Sequence, residues 1–314
     1  MVPYVDLHCD TLMEAWMKKK QSILEFPEAM LDVKRLKKAG CKAQFFAIFM
    51  LSEGLNIPDD QYIHELRQIF LNSCGGELAF AGSLADIRKT EAEGKISGIL
   101  TLEDGRAVDG SMEKLEQFHA MGIRLISLTW NFENCFGYPN SRDRAVMERG
   151  LKPFGKDAVC RMQELGMLVD VSTLSDGGFW DVAALSEKPF VASHSNCRAL
   201  NPHPRSMTDE MIRALADHGG VMGVNFCPAF LTGNVEDPVS RVADLVRHLR
   251  HMVNVGGVEI AAIGSDLDGI GGELEIGSCD RMHLLFESLD RAGFSDDTIE
   301  KIAFRNAERV LYQI

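Results

Sequence analysis

Two spacings of hydrophobic residues alternate along the chain. Short, continuous apolar runs predict buried strands, and longer stretches with apolar residues every three or four positions predict amphipathic helices. The predicted strands are a first run that ends at His8 and the segments 43–51, 96–102, 124–129, 167–171, 190–193, 221–225 and 260–263. The predicted helices are 11–20, 31–38, 59–72, 83–94, 111–121, 154–165, 175–185, 208–218, 238–255, 281–291 and 296–311.

The order of these elements predicts the fold class. Strands alternating with helices from end to end favour a single (β/α)8 TIM barrel of the α/β class over residues 1–314, and an open, doubly wound sheet is the alternative. The segment 78–81 is short and its type stays open, while 130–150 is predicted as a long polar loop.

Composition narrows the class of protein. The chain has 314 residues, of which 46% are hydrophobic, and a net charge of −13, so we expect no nucleic-acid partner and no anionic membrane surface. We expect neither a leader peptide nor a membrane span. The cysteines form no C-x-x-C pair, which favours reduced thiols and a cytoplasmic location.

Chemically competent side chains follow several predicted strands. His8 and Asp10 stand at the end of the first strand, Glu103 follows the third, His194 the sixth and Asp266 the eighth. In a (β/α)8 barrel the carboxyl ends of the strands meet at one rim, which is where active sites lie. Imidazole and carboxylate are ligands that zinc accepts, so the pattern predicts one or two zinc ions at this rim.

Each of these residues also has a structural explanation. The alternatives are a helix cap for Asp10 with a Thr11–Glu14 capping box, ion pairs of Glu103 with Arg106 or Arg124, a hydrogen-bonded core position for His194, and a turn that contains Asp266 and Asp268. These explanations are independent of one another, whereas the metal site accounts for all of the positions together.

The sequence resembles the membrane (renal) dipeptidase family, the M19 metallopeptidases of the amidohydrolase superfamily. The matching motifs are D-L-H-C-D-T at 6–11, E-D-G at 103–105, L-T-W-N at 128–131, G-L-K-P-F-G at 150–155, S-H-S at 193–195, Arg205, and G-S-D-L-D-G at 264–269. The resemblance implies a (β/α)8 barrel, a small dipeptide substrate, tolerance of a D-residue on its C-terminal side, and a homodimer.

The resemblance also implies a role for each matching residue. The first zinc ion would be held by His8 and Asp10, the second by His194, and Glu103 would bridge them. The substrate carboxylate would be gripped by Arg205, and Asp266 would transfer the proton. A loop ion pair between Arg205 and Asp209 is the structural alternative for the arginine.

Two positions depart from the family pattern. Thr173 stands where the family has a histidine that ligates the second zinc ion, and a neutral hydroxyl is a weak zinc ligand. Trp130 replaces a histidine that faces the substrate in many members, and Asn131 is the candidate replacement. We therefore expect weaker binding of the second metal.

Three functions remain open at this point. The first is zinc-dependent hydrolysis of dipeptides, with a metal-activated water attacking the peptide carbonyl. The second, motivated by Thr173, is a metal-impaired barrel with little or no turnover that binds a carboxylated small molecule. The third is another metal-dependent amide hydrolase, such as one acting on N-acyl amino acids.

Overall fold

The computed structural model describes residues 2–51, 54–234, 236 and 238–314. Its strands are β1 Tyr4–Cys9, β2 Cys41–Phe49, β3 Leu78–Phe80, β4 Ile96–Glu103, β5 Ile123–Ser127, β6 Leu168–Asp170, β7 Val191–Ser195, β8 Val221–Val224, β9 Val239–Ser240, β10 Ala261–Ile263 and β11 Glu273–Leu274.

Helices connect most of these strands. They are α1 Thr11–Met17, α2 Val33–Lys38, α3 Asp59–Ser73, α4 Leu84–Ala92, α5 Met112–Ala120, α6 Arg144–Met147, α7 Pro153–Leu165, α8 Asp176–Leu185, α9 Asp209–Asp217, α10 Pro228–Leu231, α11 Val242–Gly256, α12 His283–Arg291, α13 Asp296–Glu300 and α14 Asn306–Leu311. Within the described residues, no helix is both long and apolar enough to span a bilayer.

Parallel pairing closes the sheet into a barrel. The strands follow the order β1, β2, β4, β5, β6, β7, β8 and β10, and β10 pairs with β1 to close the ring. Strand β3 pairs with the first residues of β4, beside the ring. The predicted (β/α)8 fold is therefore confirmed, and the open doubly wound sheet is wrong.

Apolar side chains fill the end of the barrel at which the strands begin. Every strand of the ring contributes to one buried cluster: Val5, Leu7, Ala43, Phe45, Ile99, Leu125, Leu168, Val191, Val221 and Ala262. Ala307, Val310 and Leu311 of α14 belong to the same cluster and close that end of the barrel. Polar residues are therefore left to the opposite end, where the strands finish.

The predicted segments differ from the structure mainly at their ends. Segment 78–81 is a strand, the helix predicted for 11–20 ends at Met17, and the helix predicted for 238–255 starts at Val242 because 239–240 forms β9. The predicted polar loop contains α6, and a π-helical turn at Lys301–Arg305 divides the last helix. None of these differences displaces a strand of the barrel.

Both candidate metal-binding histidines, His8 and His194, lie within an irregularity of strand register. Between Asp6 and Cys9, β1 has one residue more than β2 has between their partners, and β7 has one residue more than β8 just before Ser195. An extra residue locally reverses which side chains face inward. Leu7 contributes to the barrel interior and His8, the next residue, contacts Glu103 across it, so the register shift turns the imidazole inward.

The close packing of β7, β8 and the segment after β10 depends on glycine. An added Cβ at Gly223 would lie 2.1 Å from the carbonyl oxygen of Ser193 and 2.9 Å from the backbone of Gly264. Backbone atoms cannot move aside as a flexible side chain can. We predict that Gly223→Ala destabilises the protein by about 1–3 kcal/mol, which thermal unfolding followed by circular dichroism measures.

Gly76→Ala is the matched control for this prediction. An added Cβ at Gly76 would have no atom within 4 Å, so its thermal midpoint should be unchanged or slightly higher. Equal midpoints for the two variants would contradict the packing described for the barrel.

Candidate active site

A cavity of about 530 Å³ opens at the carboxyl ends of the barrel strands. Its walls include predicted site residues from six different strand ends or the loops that follow them: Asp10, Glu103, Trp130, Asn131, Thr173, His194, Arg205 and Asp266. A concave site of this size is typical of small-molecule binding. The sequence prediction of a common rim is therefore matched by the positions of these side chains.

Glu103 lies between the two histidines. Its Oε2 is 3.2 Å from His8 Nε2, and its Oε1 is 3.4 Å from His194 Nε2. The two imidazole rings stack with their centroids 3.7 Å apart. All three side chains are buried. A single carboxylate thus presents one oxygen to each imidazole.

Two further carboxylates approach His8 from its own side of the barrel. Asp10 Oδ2 lies 3.5 Å and Asp266 Oδ1 lies 3.8 Å from His8 Nε2. Asn225 holds the second of these groups, because its amide donates a 2.7 Å hydrogen bond to Asp266 Oδ2. An added Cβ at Gly269 would lie 1.9 Å from Asp10 Oδ2, so only glycine leaves room for both acids.

Burial and mutual repulsion act strongly on these acids. Burial, together with the nearby charges of Asp10 and Glu103, raises the pKa of Asp266 to about 8. Burial alone would also raise the pKa of Glu103, but the charge of the adjacent His8 imidazole holds it well below its ordinary value. Perturbed acids in a cleft are typical of functional sites.

The donor set fits a divalent cation. Among the described residues, His8 Nδ1, His8 Nε2 and Asp10 Oδ1 are buried without a hydrogen-bond partner. Two groups of side chains, His8 with Glu103 and His194 and His8 with Asp10 and Asp266, each bring their ligand atoms within 4.8 Å of one another. Buried, unpaired imidazole and carboxylate atoms at this spacing are what a metal ion would satisfy.

A buried acid fixes the proton position on His194. Asp170 Oδ2 accepts a 2.6 Å hydrogen bond from Ser193 Oγ, and Ser193 Oγ lies 2.7 Å from His194 Nδ1. Against the effect of burial, interactions with His194 and with serine hydroxyls lower the pKa of Asp170, so this group is an ionised acceptor.

Because the only proton of the Ser193 hydroxyl goes to Asp170, His194 must donate from Nδ1. Burial lowers the pKa of His194 to about 4, so the ring is neutral and its Nε2 carries a free lone pair. That lone pair faces an oxygen of Glu103, which is also an acceptor. A cation between the two atoms would relieve this repulsion.

Some structural alternatives for the site residues fail. The Asp10 side chain makes no cap hydrogen bond to α1, and the Thr11 hydroxyl donates instead to Asp268 Oδ2 at 2.6 Å. The ion pairs proposed for Glu103 are also absent among the described residues, since Arg106 pairs with acids other than Glu103 and Arg124 donates to backbone carbonyls.

The alternatives for His194 and for the turn are met. His194 is buried and hydrogen-bonded, and the N–H of Gly269 donates to the carbonyl of Asp266 in the expected turn, but His194 and Asp266 also line the cavity. Asp268 joins Thr11 to the backbone of Met30.

Arg205 reaches the cavity and makes no ion pair with Asp209. Asp209 pairs with His251 at 2.7 Å, while the Arg205 guanidinium donates to the carbonyl of Ser172 and lies over the ring of Phe230. In the described part of the chain, its other N–H groups have no hydrogen-bond acceptor. Arg205 therefore presents unused donors to a ligand.

Thr173 lines the cavity with its hydroxyl already engaged. The hydroxyl donates to the carbonyl of Thr129, and the Thr129 hydroxyl donates at 3.0 Å to the carbonyl of Thr173. Trp130, the residue after Thr129, lies on the cavity wall. The centroid of its ring is 4.9 Å from that of Phe49, and the next residue, Asn131, is exposed. The Thr173 side chain is thus hydrogen-bonded to the backbone that follows β5.

Sequence reasoning missed several residues of this site. Asp170 and Ser193 flank the predicted residues, but nothing in their spacing shows that they meet across two strands. His203, a further cavity residue, accepts a 3.1 Å hydrogen bond from the backbone N–H of Arg205 at Nδ1. The neutral ring therefore carries its proton on Nε2. An Asn at the end of a strand, such as Asn225, was the available signal for a polar support.

Comparison with known proteins agrees with this geometry. The model of the membrane dipeptidase family, peptidase family M19, matches residues 1–314. The chain belongs to the membrane dipeptidase family. A relative from Klebsiella pneumoniae, an uncharacterized protein encoded in the 5′ region of pqqA, is 34% identical over 261 residues, which are 81% of this chain and 95% of the relative. An uncharacterized dipeptidase of Schizosaccharomyces pombe is 29% identical over 287 residues, 85% of this chain and 69% of that protein.

Solved structures share the fold over nearly their whole length. The dipeptidase AC, a metallopeptidase of family M19, superposes with a TM-score of 0.89 at 26% identity and covers 99% of this chain and 98% of its own. A metallopeptidase from Rhodobacter sphaeroides, liganded with a phosphinate mimic of the dipeptide L-Ala-D-Ala, has a TM-score of 0.87 at 24% identity, with 99% of both chains covered. The protein is a metal-dependent hydrolase of the dipeptidase family.

The Ser193 hydroxyl provides a test of the metal centre. Ser193→Ala removes the acceptor that keeps the proton on His194 Nδ1. We predict that it weakens metal binding by about 10- to 100-fold, the usual effect of losing a group that orients a ligand. Titration of the metal-free protein with Zn²⁺ against a chromophoric chelator measures the affinity.

Ser195→Ala is the control for this substitution. Ser195 flanks His194 on the other side, and its hydroxyl donates to the carbonyl of Arg205 rather than to the imidazole. Its Zn²⁺ affinity should match that of the unmodified protein. Equal weakening in both variants would show a general effect of altering β7.

Proposed function

We propose that the protein is a zinc-dependent dipeptidase that cleaves substrates with a free C-terminal carboxylate. The observation that carries the proposal is the convergence of Asp10, Glu103, His194 and Asp266 on one cavity, with the buried His8 in contact with all three acids. Nitrogen and oxygen donors in this arrangement suit zinc, which is the metal that the family resemblance implies. Residues 1–314 would act as one catalytic barrel domain.

The contacts of His8, Glu103 and His194 support an assignment of the metal ligands. His8 and Asp10 would hold one ion, His194 would hold a second, and Glu103 would bridge them, since its two oxygens face different imidazoles. When bound, zinc supplies an activated water and polarises the scissile carbonyl. The protein contributes the orientation of its ligands, through Ser193 for His194 and through the register shift for His8.

Asp266 is the proposed proton carrier. Without a bound metal, a pKa of about 8 leaves the Asp266 carboxyl group mostly protonated at neutral pH, and the charge of a bound cation would lower this pKa so that the group can accept a proton. It would accept the proton of the attacking water and deliver it to the leaving amine. The hydrogen bond from Asn225 keeps one oxygen in place, and the other points towards His8.

Arg205 is the proposed anchor for the substrate carboxylate. Its guanidinium is buried, so an ion pair with a carboxylate is little screened by water. The planar group can bind both oxygens of the carboxylate at once. The N–H at His203 Nε2, beside it on the cavity wall, is a second candidate donor.

Thr173 supports the alternative of reduced turnover. Its hydroxyl proton is committed to the carbonyl of Thr129, so it does not replace the missing imidazole. In the described residues, the ligand group that contains His194 has only Glu103 and His8 as its other members. We therefore propose that the site binds one ion firmly and a second ion weakly.

Hydrolysis of dipeptides is the direct test of the proposal. We predict that the zinc-loaded protein cleaves L,L-dipeptides and, as the family resemblance implies, L,D-dipeptides, and that Asp266→Asn lowers kcat by about 10²- to 10⁴-fold. Release of free amine measures turnover, and elemental analysis counts the zinc bound by each variant. Turnover equal to buffer at saturating zinc would overturn the proposal and favour a barrel that only binds its ligand.

N-acyl amino acids separate dipeptidase activity from a broader amide hydrolase. They keep the carboxylate that Arg205 would bind but lack the free amino group. Faster cleavage of these compounds than of dipeptides would replace the dipeptidase proposal by that of an N-acyl amino acid hydrolase.

Position 173 tests the number of metal ions. Thr173→His adds the imidazole that the family pattern has at this position, so we predict that a second zinc ion binds more tightly and that kcat rises. Elemental analysis after dialysis against a range of free Zn²⁺ concentrations measures the gain. Thr173→Val, which removes the hydroxyl without adding a ligand, should show neither effect; no gain of zinc in Thr173→His would mean that the second site is not limited by this residue.

A further inference from the structure

An apolar wall lies on the side of the cavity away from Arg205. We use the name aromatic wall for Phe49, Leu51 and Trp130, which all line the cavity. The rings of Phe49 and Trp130 meet edge to face with centroids 4.9 Å apart. The exposed ring of Phe132 has its centroid 6.5 Å from that of Trp130, outside the residues that line the cavity.

Strand order places Phe49 of this wall opposite the carboxylate anchor. Phe49 ends β2, and Arg205 follows β7 and contacts the end of β6 through the carbonyl of Ser172. Around the ring, β4, β5 and β6 separate β2 from β7 on one side, and β8, β10 and β1 separate them on the other. Phe49 and Arg205 therefore lie on opposite sides of the barrel mouth, and Trp130, which follows β5, lies between them in strand order with its ring against Phe49.

The metal-binding cluster lies between them. Phe49 pairs in register with Glu103 on the adjacent strand, and Glu103 in turn faces His194 on β7. A dipeptide whose carboxylate is held by Arg205 and whose peptide bond lies straight across this cluster would direct its N-terminal residue towards Phe49 at the end of β2. An extended dipeptide spans about 7 Å, which the cavity accommodates.

The chemistry of the wall selects the kind of side chain it would contact. Phe49, Leu51 and Trp130 are only half-buried, so they expose apolar surface to the cavity. Among the described residues that line the cavity, the acidic ones are Asp10, Glu103 and Asp266, all in the cluster itself. A charged side chain on the N-terminal residue would find no partner on the wall, whereas an apolar one would bury both surfaces.

We propose that the aromatic wall binds the side chain of the substrate's N-terminal residue and selects a large apolar one, such as leucine or phenylalanine. This inference rests on the proposed dipeptidase function and specifies its substrate class. Its physical basis is removal of apolar surface from water on both partners, which is worth about 10- to 100-fold for a side chain of this size.

Hydrolysis of a series that varies only the N-terminal residue tests the selection. With zinc-loaded protein and the dipeptides Gly-Ala, Leu-Ala, Phe-Ala, Asp-Ala and Lys-Ala, we expect kcat/KM to be about 10- to 100-fold higher for Leu-Ala and Phe-Ala than for the other three. Phe49→Ala should reduce the ratio of kcat/KM for Phe-Ala to that for Gly-Ala by about tenfold. Trp180→Ala, which removes an exposed aromatic ring outside the cavity, should leave this ratio unchanged.

A charge substitution gives a second, positive readout. Leu51→Lys places a cation on the wall and should raise kcat/KM for Asp-Ala relative to Leu-Ala, an effect that misfolding does not produce. Equal rates across the series, or no change of preference in either wall variant, would overturn the inference while leaving the dipeptidase proposal intact. No turnover of any dipeptide would overturn the dipeptidase proposal and this inference together.

Discussion

The excess of buried negative charge at the barrel mouth is the constraint on which the site depends. Asp10, Glu103 and Asp266 approach one another around His8, and the guanidinium of Arg205, which lines the same cavity, already donates to a backbone carbonyl. Burying unpaired charges costs several kcal/mol for each ion. A raised pKa favours the neutral form of one acid, Asp266, whereas divalent cations would offset the charge of the carboxylates and take the Nε2 atoms of His8 and His194 as ligands.

Assembling these groups requires departures from regular sheet geometry. Strict alternation along β1 and β7 would leave the imidazoles facing the outer helices, and one extra residue in each strand turns them inward. Buried aspartates support both strands: Asp6 accepts hydrogen bonds from the backbone and hydroxyl of Ser265, and Asp170 accepts them from those of Ser193. Hydrogen bonds from backbone N–H groups and serine hydroxyls to these two buried acids thus hold the irregular backbone in place.

The sequence was sufficient for the barrel and for the strand ends that bear the site, because hydrophobic spacing is a local property that each strand and helix carries. It was not sufficient to predict the register shifts, because an extra residue in one strand can be recognised only by comparison with the strand that it pairs with. For the same reason Asp170 could be placed at a strand end but not assigned a partner. The capping-box alternative for Thr11 could not be decided from the sequence, because the acceptor of its hydroxyl, Asp268, is remote along the chain.

The two departures from the family pattern are physically linked. Thr173 and Thr129 exchange hydrogen bonds between hydroxyl and carbonyl groups, and Trp130 of the aromatic wall follows Thr129 directly. An imidazole at position 173 would remove the hydroxyl donor from the carbonyl of Thr129, the residue directly before Trp130. The weak second metal site and the apolar substrate wall that we propose therefore involve the same pair of strand ends, those of β5 and β6.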